Sequence, residues 1–283
     1  MAFNTKTFIT RTASAAVFVF VLLSCVWYNA YTYIAFFALV GFIGLHEFFK
    51  LTEKLGKKPQ KFFGYVIFAI LIASVFFINR VNLNPLKPYL FIAIFAGPLY
   101  LLVQLFKERN SVFNIPPVIL STFYVTIPCV LLILLSGIFR SPENMELNFA
   151  PQKLLGIIFF IWINDTGAYL VGSFLGKHKL YEKISPNKTW EGTIGGIILC
   201  IALSFVMVKL FPQLELKHWI VISIIVAIFG TLGDLVESML KRIAGVKDTG
   251  NIMPGHGGVL DRFDSLLFAT PFVFCYLAVS GLL

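Results

Sequence analysis

The chain has 283 residues, of which 58% are hydrophobic and only 13% charged. Soluble domains carry about 25% charged residues, so this balance excludes an ordinary soluble domain and points to an integral membrane protein. The net charge of +9 does not mark a nucleic-acid binder, because the basic residues form no arm or stripe and fall in short loops between apolar segments.

Apolar runs fall at 13–29, 30–46, 62–79, 88–106, 117–139, 153–175, 193–211, 218–236 and 265–283. Each approaches the roughly 20 residues with which a helix crosses ~30 Å of hydrocarbon. The runs are continuous rather than alternating, which predicts helices and not a barrel. The expected fold class is all-α, a polytopic membrane protein with about nine transmembrane helices. The split of 13–46 rests on WYNAYTY at 27–33, whose aromatics and Asn29 suit an interfacial turn; one long tilted span is the alternative. Lys6 and Arg11 before VFVFVLLSCVW resemble a signal peptide, but no small-x-small cleavage site follows, so a retained first helix is expected. Cys25, Cys129, Cys200 and Cys275 lie inside apolar runs without CxxC spacing and read as buried small hydrophobes.

Nine spans place the N-terminus and the loops 50–61, 107–109, 177–188 and 241–262 on one side. Lys and Arg favour that side by roughly three to one. That side is therefore expected to be cytoplasmic. Of the 14 acids, only Glu143, Glu146 and Glu215 fall on the other face. Basic residues alone set orientation, so acids gathered beside them suggest a site. Two regions follow: residues 1–150, with about five helices, and residues 151–283, a catalytic region of about four helices with cytoplasmic loops 176–192 and 241–264.

Three places break the membrane pattern. In WINDTGAYL, Asp165 stands near the middle of the sixth run, where a carboxylate costs about 2.5–3.5 kcal/mol and should face a polar cavity, partner or ion. In GTLGDLVESMLKR, residues 230–242, helical spacing puts Asp234, Glu237, Ser238 and Lys241 on one face. Glu237 and Lys241 read equally well as an ordinary surface pair. The third place is KDTGNIMPGHGGVLDRFDS, residues 247–265, where Gly255, Gly257 and Gly258 surround His256 and permit positive φ and close approach to a ligand. Such a loop entering a helix can offer N–H groups to phosphate, while Asp261 and Asp264 follow at i, i+3 spacing and Arg262 can reach a phosphate or headgroup. Between the sixth and seventh runs, Ser185, Asn187, Lys188 and Thr189 supply donors to an anion; a basic loop lying on acidic lipid is the plainer alternative.

Carboxylates repel nucleotide phosphates unless a divalent cation lies between them, and Mg²⁺ is bound by one or two carboxylates plus substrate phosphates. The expected chemistry is metal-assisted phosphoryl or nucleotidyl transfer at the membrane interface. The chain contains no GxxxxGK[ST] loop and no protein-kinase motif.

SMLKRIAGVKDTGNIMPGHGGVLDRFD, residues 238–264, resembles the signature of the phosphatidate cytidylyltransferase (CDP-diacylglycerol synthase) family. The matching positions are Ser238, Lys241, Arg242, Lys247, Asp248, Pro254 to Gly258, Asp261, Arg262 and Asp264. NDTGAYLVG at 164–172 and SPNKTWEG at 185–192 also resemble family motifs, so the likeness covers the C-terminal half. The resemblance implies the reaction of CTP with phosphatidate to give CDP-diacylglycerol and pyrophosphate, with Mg²⁺ and in some members a second cation such as K⁺. It implies a dimeric enzyme among membrane lipids, in a bacterial cytoplasmic membrane with its active site facing the cytoplasm. It also implies that Asp234 and Asp261 hold the metal with Asp165 and Asp264 nearby. Lys241 and Arg262 would act beside them on the reacting phosphates, and Lys188, Arg242 and Lys247 would clamp phosphate. Ser185, Asn187 and Thr189 would line an anion pocket, with Ser238, Asp248, His256, Gly257 and Gly258 contacting substrate and His256 positional rather than acidic.

Two other readings meet the same composition. A transporter of an anionic solute would use Asp165 as a relay, but the chain shows no internal repeat and its polar motifs sit in one half. A prenol or lipid-alcohol kinase would use a similar site but needs a general base.

Overall fold

The computed structural model describes residues 5–81, 115–137, 139–140, 147–253, 255 and 257–283. They form two compact units, one from Met1–Ala150 with Ala244–Arg262 and the other from Pro151–Ile243 with Phe263–Leu283. Residues 241–264, expected as one loop of the C-terminal region, are thus divided between the units.

In the first unit α1 (Thr5–Tyr28) and α2 (Ala30–Lys54) part at Asn29. Asn29 Oδ1 accepts from the Thr32 N–H at 2.8 Å and Thr32 Oγ1 accepts from the Asn29 N–H at 3.3 Å, a reciprocal cap that starts the second helix. WYNAYTY therefore separates two helices. α3 (Lys61–Val81) packs on α2 where Gly41 faces the Phe68 ring; a Cβ there would come within 2.6 Å of that ring.

Next come α4 (Ile115–Ser121), a π turn (Thr122–Thr126) and α5 (Ile127–Leu135). Pro128 has no N–H with which to continue the α-helical ladder, and the chain widens just before it, Ile127 N–H reaching back to Thr122 O. Ser121 and Thr122 both turn their hydroxyls onto Val118 O. The Tyr33 hydroxyl, fully buried, donates to Leu132 O and ties α2 to α5.

The second unit opens with α6 (Gln152–Leu175), continues through strands β3 (Lys179–Tyr181) and β4 (Ser185–Thr189), and closes with α7 (Trp190–Leu210), α8 (Leu216–Ile243) and most of α9 (Leu260–Val279). A separate two-residue pair, β1 (Phe139–Arg140) with β2 (Leu147–Asn148), belongs to the first unit. The 177–188 loop, expected only as a basic connection, is thus an antiparallel hairpin.

α6 and α7 approach through small residues. Gly167 faces the Gly196 Cα, Gly172 faces the Gly192 Cα, and a Cβ on Gly192 would lie 2.6 Å from Ala168 O. Small residues four apart let backbones touch, which is how helices associate where no hydrophobic difference from lipid drives them. α8 seats Trp219, fully buried, over Gly156 of α6, and Ser204 Oγ donates to the Trp219 carbonyl.

Six spans among the described residues are long and apolar enough to cross a membrane: α2, Pro116–Leu135, α6, α7, α8 and α9. Shorter apolar stretches occupy Thr12–Tyr28 of α1 and Lys61–Val75 of α3. The expected span at 88–106 lies outside the described residues, as do Lys87, Glu143, Glu146, Pro254 and His256. The chain is an all-α integral membrane protein carrying one small hairpin and one further short strand pair. Its four cysteines are free; Cys129 and Cys200 are buried, Cys25 is partly buried, and Cys275, against expectation, is exposed.

Candidate active site

The second unit gathers carboxylates where α8 meets α9. Gly233 of α8 removes the side chain that would hold these helices apart: a Cβ there would come within 2.9 Å of Asp264 O and 2.6 Å of the Phe268 Cβ. This approach sets Asp234 and Glu237 beside Asp264, with one oxygen from each carboxylate within 4.8 Å of the others. Glu237 is buried at 1% exposure, so its place on the amphipathic face is inward, not at the surface.

Two ammonium groups meet these acids. Lys188, at the end of β4, places Nζ 2.6 Å from Asp234 Oδ2 and also donates to Thr231 O at 3.4 Å. Lys241 pairs with Glu237 one turn further along α8. Ser238 Oγ donates to the other Asp234 oxygen at 3.2 Å. Asp165, exposed on α6, interacts electrostatically with both Asp234 and Lys188, and its neighbour Asn164 is buried and donates to Thr231 Oγ1.

Among the described residues, the carboxyl groups of Asp165, Asp234, Glu237 and Asp264 outnumber the ammonium groups of Lys188 and Lys241 at this place. Hard oxygen donors in such excess suit a hard divalent cation.

The hairpin is built to deliver Lys188. Lys179 and Thr189 pair across it, and Thr189 then becomes the N-cap of α7, its Oγ1 accepting from the Gly192 N–H at 3.1 Å. Glu191 in the first turn of α7 accepts from the Lys177 and His178 N–H groups and from the His178 ring at 2.6 Å. Thr189, expected in an anion pocket, is buried and its hydroxyl is engaged as this cap. Ser185 is partly buried, whereas Asn187 and Arg242 are exposed.

The remaining signature residues belong to the first unit. Lys247, Asp248 and Arg262 are exposed. Gly257 has φ +82°, a conformation that favours glycine, and its carbonyl accepts from the Met253 N–H. Asp261, in the first turn of α9, accepts through Oδ2 from Gly258 N at 2.7 Å, Thr249 N at 2.9 Å and Thr249 Oγ1 at 2.9 Å.

The loop's N–H groups, expected to face phosphate, are therefore partly taken by the protein's own carboxylates. Glu47 of α2, buried at 2% exposure, accepts from Val259 N at 3.0 Å and Leu260 N at 2.8 Å. Glu47 is not among the residues expected at the site. An acid at the end of an apolar run, in GLHEFFKL, raises the question that singled out Asp165 and would have found it.

A membrane protein whose helices converge on acids and lysines fits an enzyme that handles phosphate. The sequence profile of the cytidylyltransferase family matches residues 9–280, and the chain belongs to that family. A phosphatidate cytidylyltransferase of Staphylococcus haemolyticus is 35% identical over 266 residues, covering 92% of this chain and 95% of the relative. The phosphatidate cytidylyltransferase of Bacillus subtilis is 49% identical over 141 residues, 48% of this chain and 52% of the relative. One from Staphylococcus epidermidis is 50% identical over 122 residues, 42% of this chain and 46% of the relative. These last two matches span about half the length of the relatives.

Proposed function

We propose that the protein is a phosphatidate cytidylyltransferase of phospholipid biosynthesis, transferring CMP from CTP to phosphatidate to yield CDP-diacylglycerol and pyrophosphate. The observation that carries this reading is the cluster of Asp234, Glu237 and Asp264 with Lys188 and Lys241, in a chain of the cytidylyltransferase family.

A phosphomonoester is mostly dianionic at pH 7, so the lipid phosphate attacks the α-phosphorus of CTP without a general base. One oxygen–phosphorus bond forms to the lipid phosphate while the bond to pyrophosphate breaks and pyrophosphate leaves with the electron pair. The protein's task is to hold two polyanions in line and offset their charge. Lys188 is held for this by Asp234, and Lys241 by Glu237. Arg242, Lys247 and Arg262 supply further phosphate contacts. Ser185 and Asn187 offer donors beside Lys188, with Thr189 fixing the hairpin that presents them.

Asp234 and Asp264, with Glu237 and Asp165 beside them, are the residues that fit Mg²⁺, and Asp261 is the further ligand that the family resemblance implies. Mg²⁺, when bound there, would supply positive charge to offset that of the phosphates, and a second cation such as K⁺ would add to it.

The same reading makes the protein a homodimer in a bacterial cytoplasmic membrane, with nine spans and its N-terminus and site on the cytoplasmic face. The bias of Lys and Arg between loops supports that orientation.

Purified protein in detergent, given phosphatidate, labelled CTP and Mg²⁺, is expected to form labelled CDP-diacylglycerol and pyrophosphate, and a chelator to stop it. Labelled lipid phosphate formed from ATP, with no product from CTP, would overturn the reading in favour of a lipid kinase.

A further inference from the structure

We infer that Glu47 is a positioning residue for the reaction: from α2 it fixes the glycine-rich loop and the first turn of α9, and thereby the carboxylate of Asp261. The inference rests on the function proposed above only for what Asp261 does. The hold of Glu47 on the loop rests on geometry alone.

Glu47 uses both carboxylate oxygens. Oε1 accepts from Val259 N at 3.0 Å, while Oε2 accepts from Leu260 N at 2.8 Å and from Thr249 Oγ1 at 3.2 Å. These are the free N–H groups at the start of α9, so a residue more than two hundred positions earlier caps that helix. At 2% exposure the charge is shielded from water and is compensated by these donors.

Thr249 joins Glu47 to Asp261. Its hydroxyl lies 3.2 Å from Glu47 Oε2 and 2.9 Å from Asp261 Oδ2, so two carboxylates share one proton donor, while the Thr249 N–H binds Asp261 as well. Moving Glu47 therefore moves Thr249, and Asp261 loses two of its described partners.

Glu47 also explains two glycines of the loop. A Cβ on Gly258 would lie 2.5 Å from both Glu47 oxygens, and a Cβ on Gly250 would collide with Glu47 Oε1. Neither glycine has the positive φ found at Gly257. Their need is space for the buried carboxylate, not backbone freedom.

The first arm of the test needs no substrate. Amide hydrogen exchange is followed in full-length protein in detergent for wild type, Glu47→Gln and Tyr33→Phe. An amide has one acceptor oxygen and sets its NH₂ against the Val259 or Leu260 N–H, so Glu47→Gln is expected to speed exchange across 249–261 and leave the Tyr33–Leu132 contact region unchanged. Tyr33→Phe, which removes only the Tyr33 hydroxyl, controls for general loosening.

The second arm is kinetic. Glu47→Gln should lower kcat about 10–100-fold, the usual cost of losing a group that orients a ligand-bearing side chain, with KM for CTP changed less than about threefold. A merely structural defect would lower the fraction of active protein and leave the exchange of 249–261 no more affected than other segments.

The third arm is a double-mutant cycle. Gly258→Ala should lower activity at least about tenfold in the wild type but less than about twofold further in a Glu47→Ala background, because the clashing carboxylate is gone. Unchanged exchange at 249–261 in Glu47→Gln, or additive losses in the cycle, would overturn the inference. If wild type forms no CDP-lipid, the function above fails while the exchange arm still decides what Glu47 holds.

Discussion

Lys188 Nζ lies 2.6 Å from Asp234 Oδ2, linking the end of a five-residue strand to the middle of a 28-residue helix. Both side chains are partly exposed, at 25% and 38%, and such a pair contributes about 0–1 kcal/mol to stability. Its consequence is geometric: the one lysine of the hairpin described as reaching α8 is aimed at the acid cluster. Lys188→Met is therefore expected to leave the melting temperature nearly unchanged while lowering kcat/KM at least about 100-fold, the loss of a charge-assisted phosphate contact. Lys188→Arg should restore only a small part, since a planar guanidinium does not present charge as a point ammonium does. Steady-state kinetics on protein of matched folded fraction checks both.

Asp234 and Asp264 lie close together where Gly233 lets α8 and α9 close. Asp234→Asn and Asp264→Asn are expected to lower turnover by about 10³-fold, the range seen when one electrostatic stabiliser is lost, without loss of folded protein. Chelation of the wild type should abolish activity and added Mg²⁺ restore it. Binding of Mn²⁺, followed by electron paramagnetic resonance, should fall in both variants. Wild-type binding in either would remove that residue from the proposed ligands.

Asp261→Asn is expected to abolish turnover while the protein still inserts and folds. The amide keeps one oxygen for the Gly258 and Thr249 donors, so the loop is largely retained while the charge is lost. Retained CMP transfer would exclude Asp261 as a metal ligand.

Gly196 lies in the tight α6–α7 contact. A Cβ there would lie 2.5 Å from Asn164 Oδ1 and 2.9 Å from its carbonyl oxygen, so backbone must shift. Gly196→Ala should destabilise the protein by about 1–3 kcal/mol, the range for overpacking a tight interior. A lowered melting temperature in detergent would register it.

Orientation is testable with a cysteine-free background. Lys57→Cys and Lys183→Cys lie in loops assigned to the cytoplasmic side, and both are exposed. A membrane-impermeant maleimide should label them in inside-out vesicles and not in right-side-out ones. The reverse pattern would invert the proposed topology.

Helices across the apolar runs that the structure describes were legible without coordinates, because an unbroken stretch of about 20 apolar residues can satisfy its backbone in lipid only as a helix. The signature at 238–264 was equally legible, since it depends on residue identity along one segment. Membership of Glu237 in the acid cluster was not, because helical spacing alone allows it to face solvent with Lys241. Its burial comes with the close packing of α8 and α9 at Gly233. Likewise, local spacing says nothing of which acid fills the N–H groups at the start of α9. Glu47 does so from α2, where a buried carboxylate needs donors and a helix start offers unpaired N–H groups, and only three-dimensional packing decides which two meet.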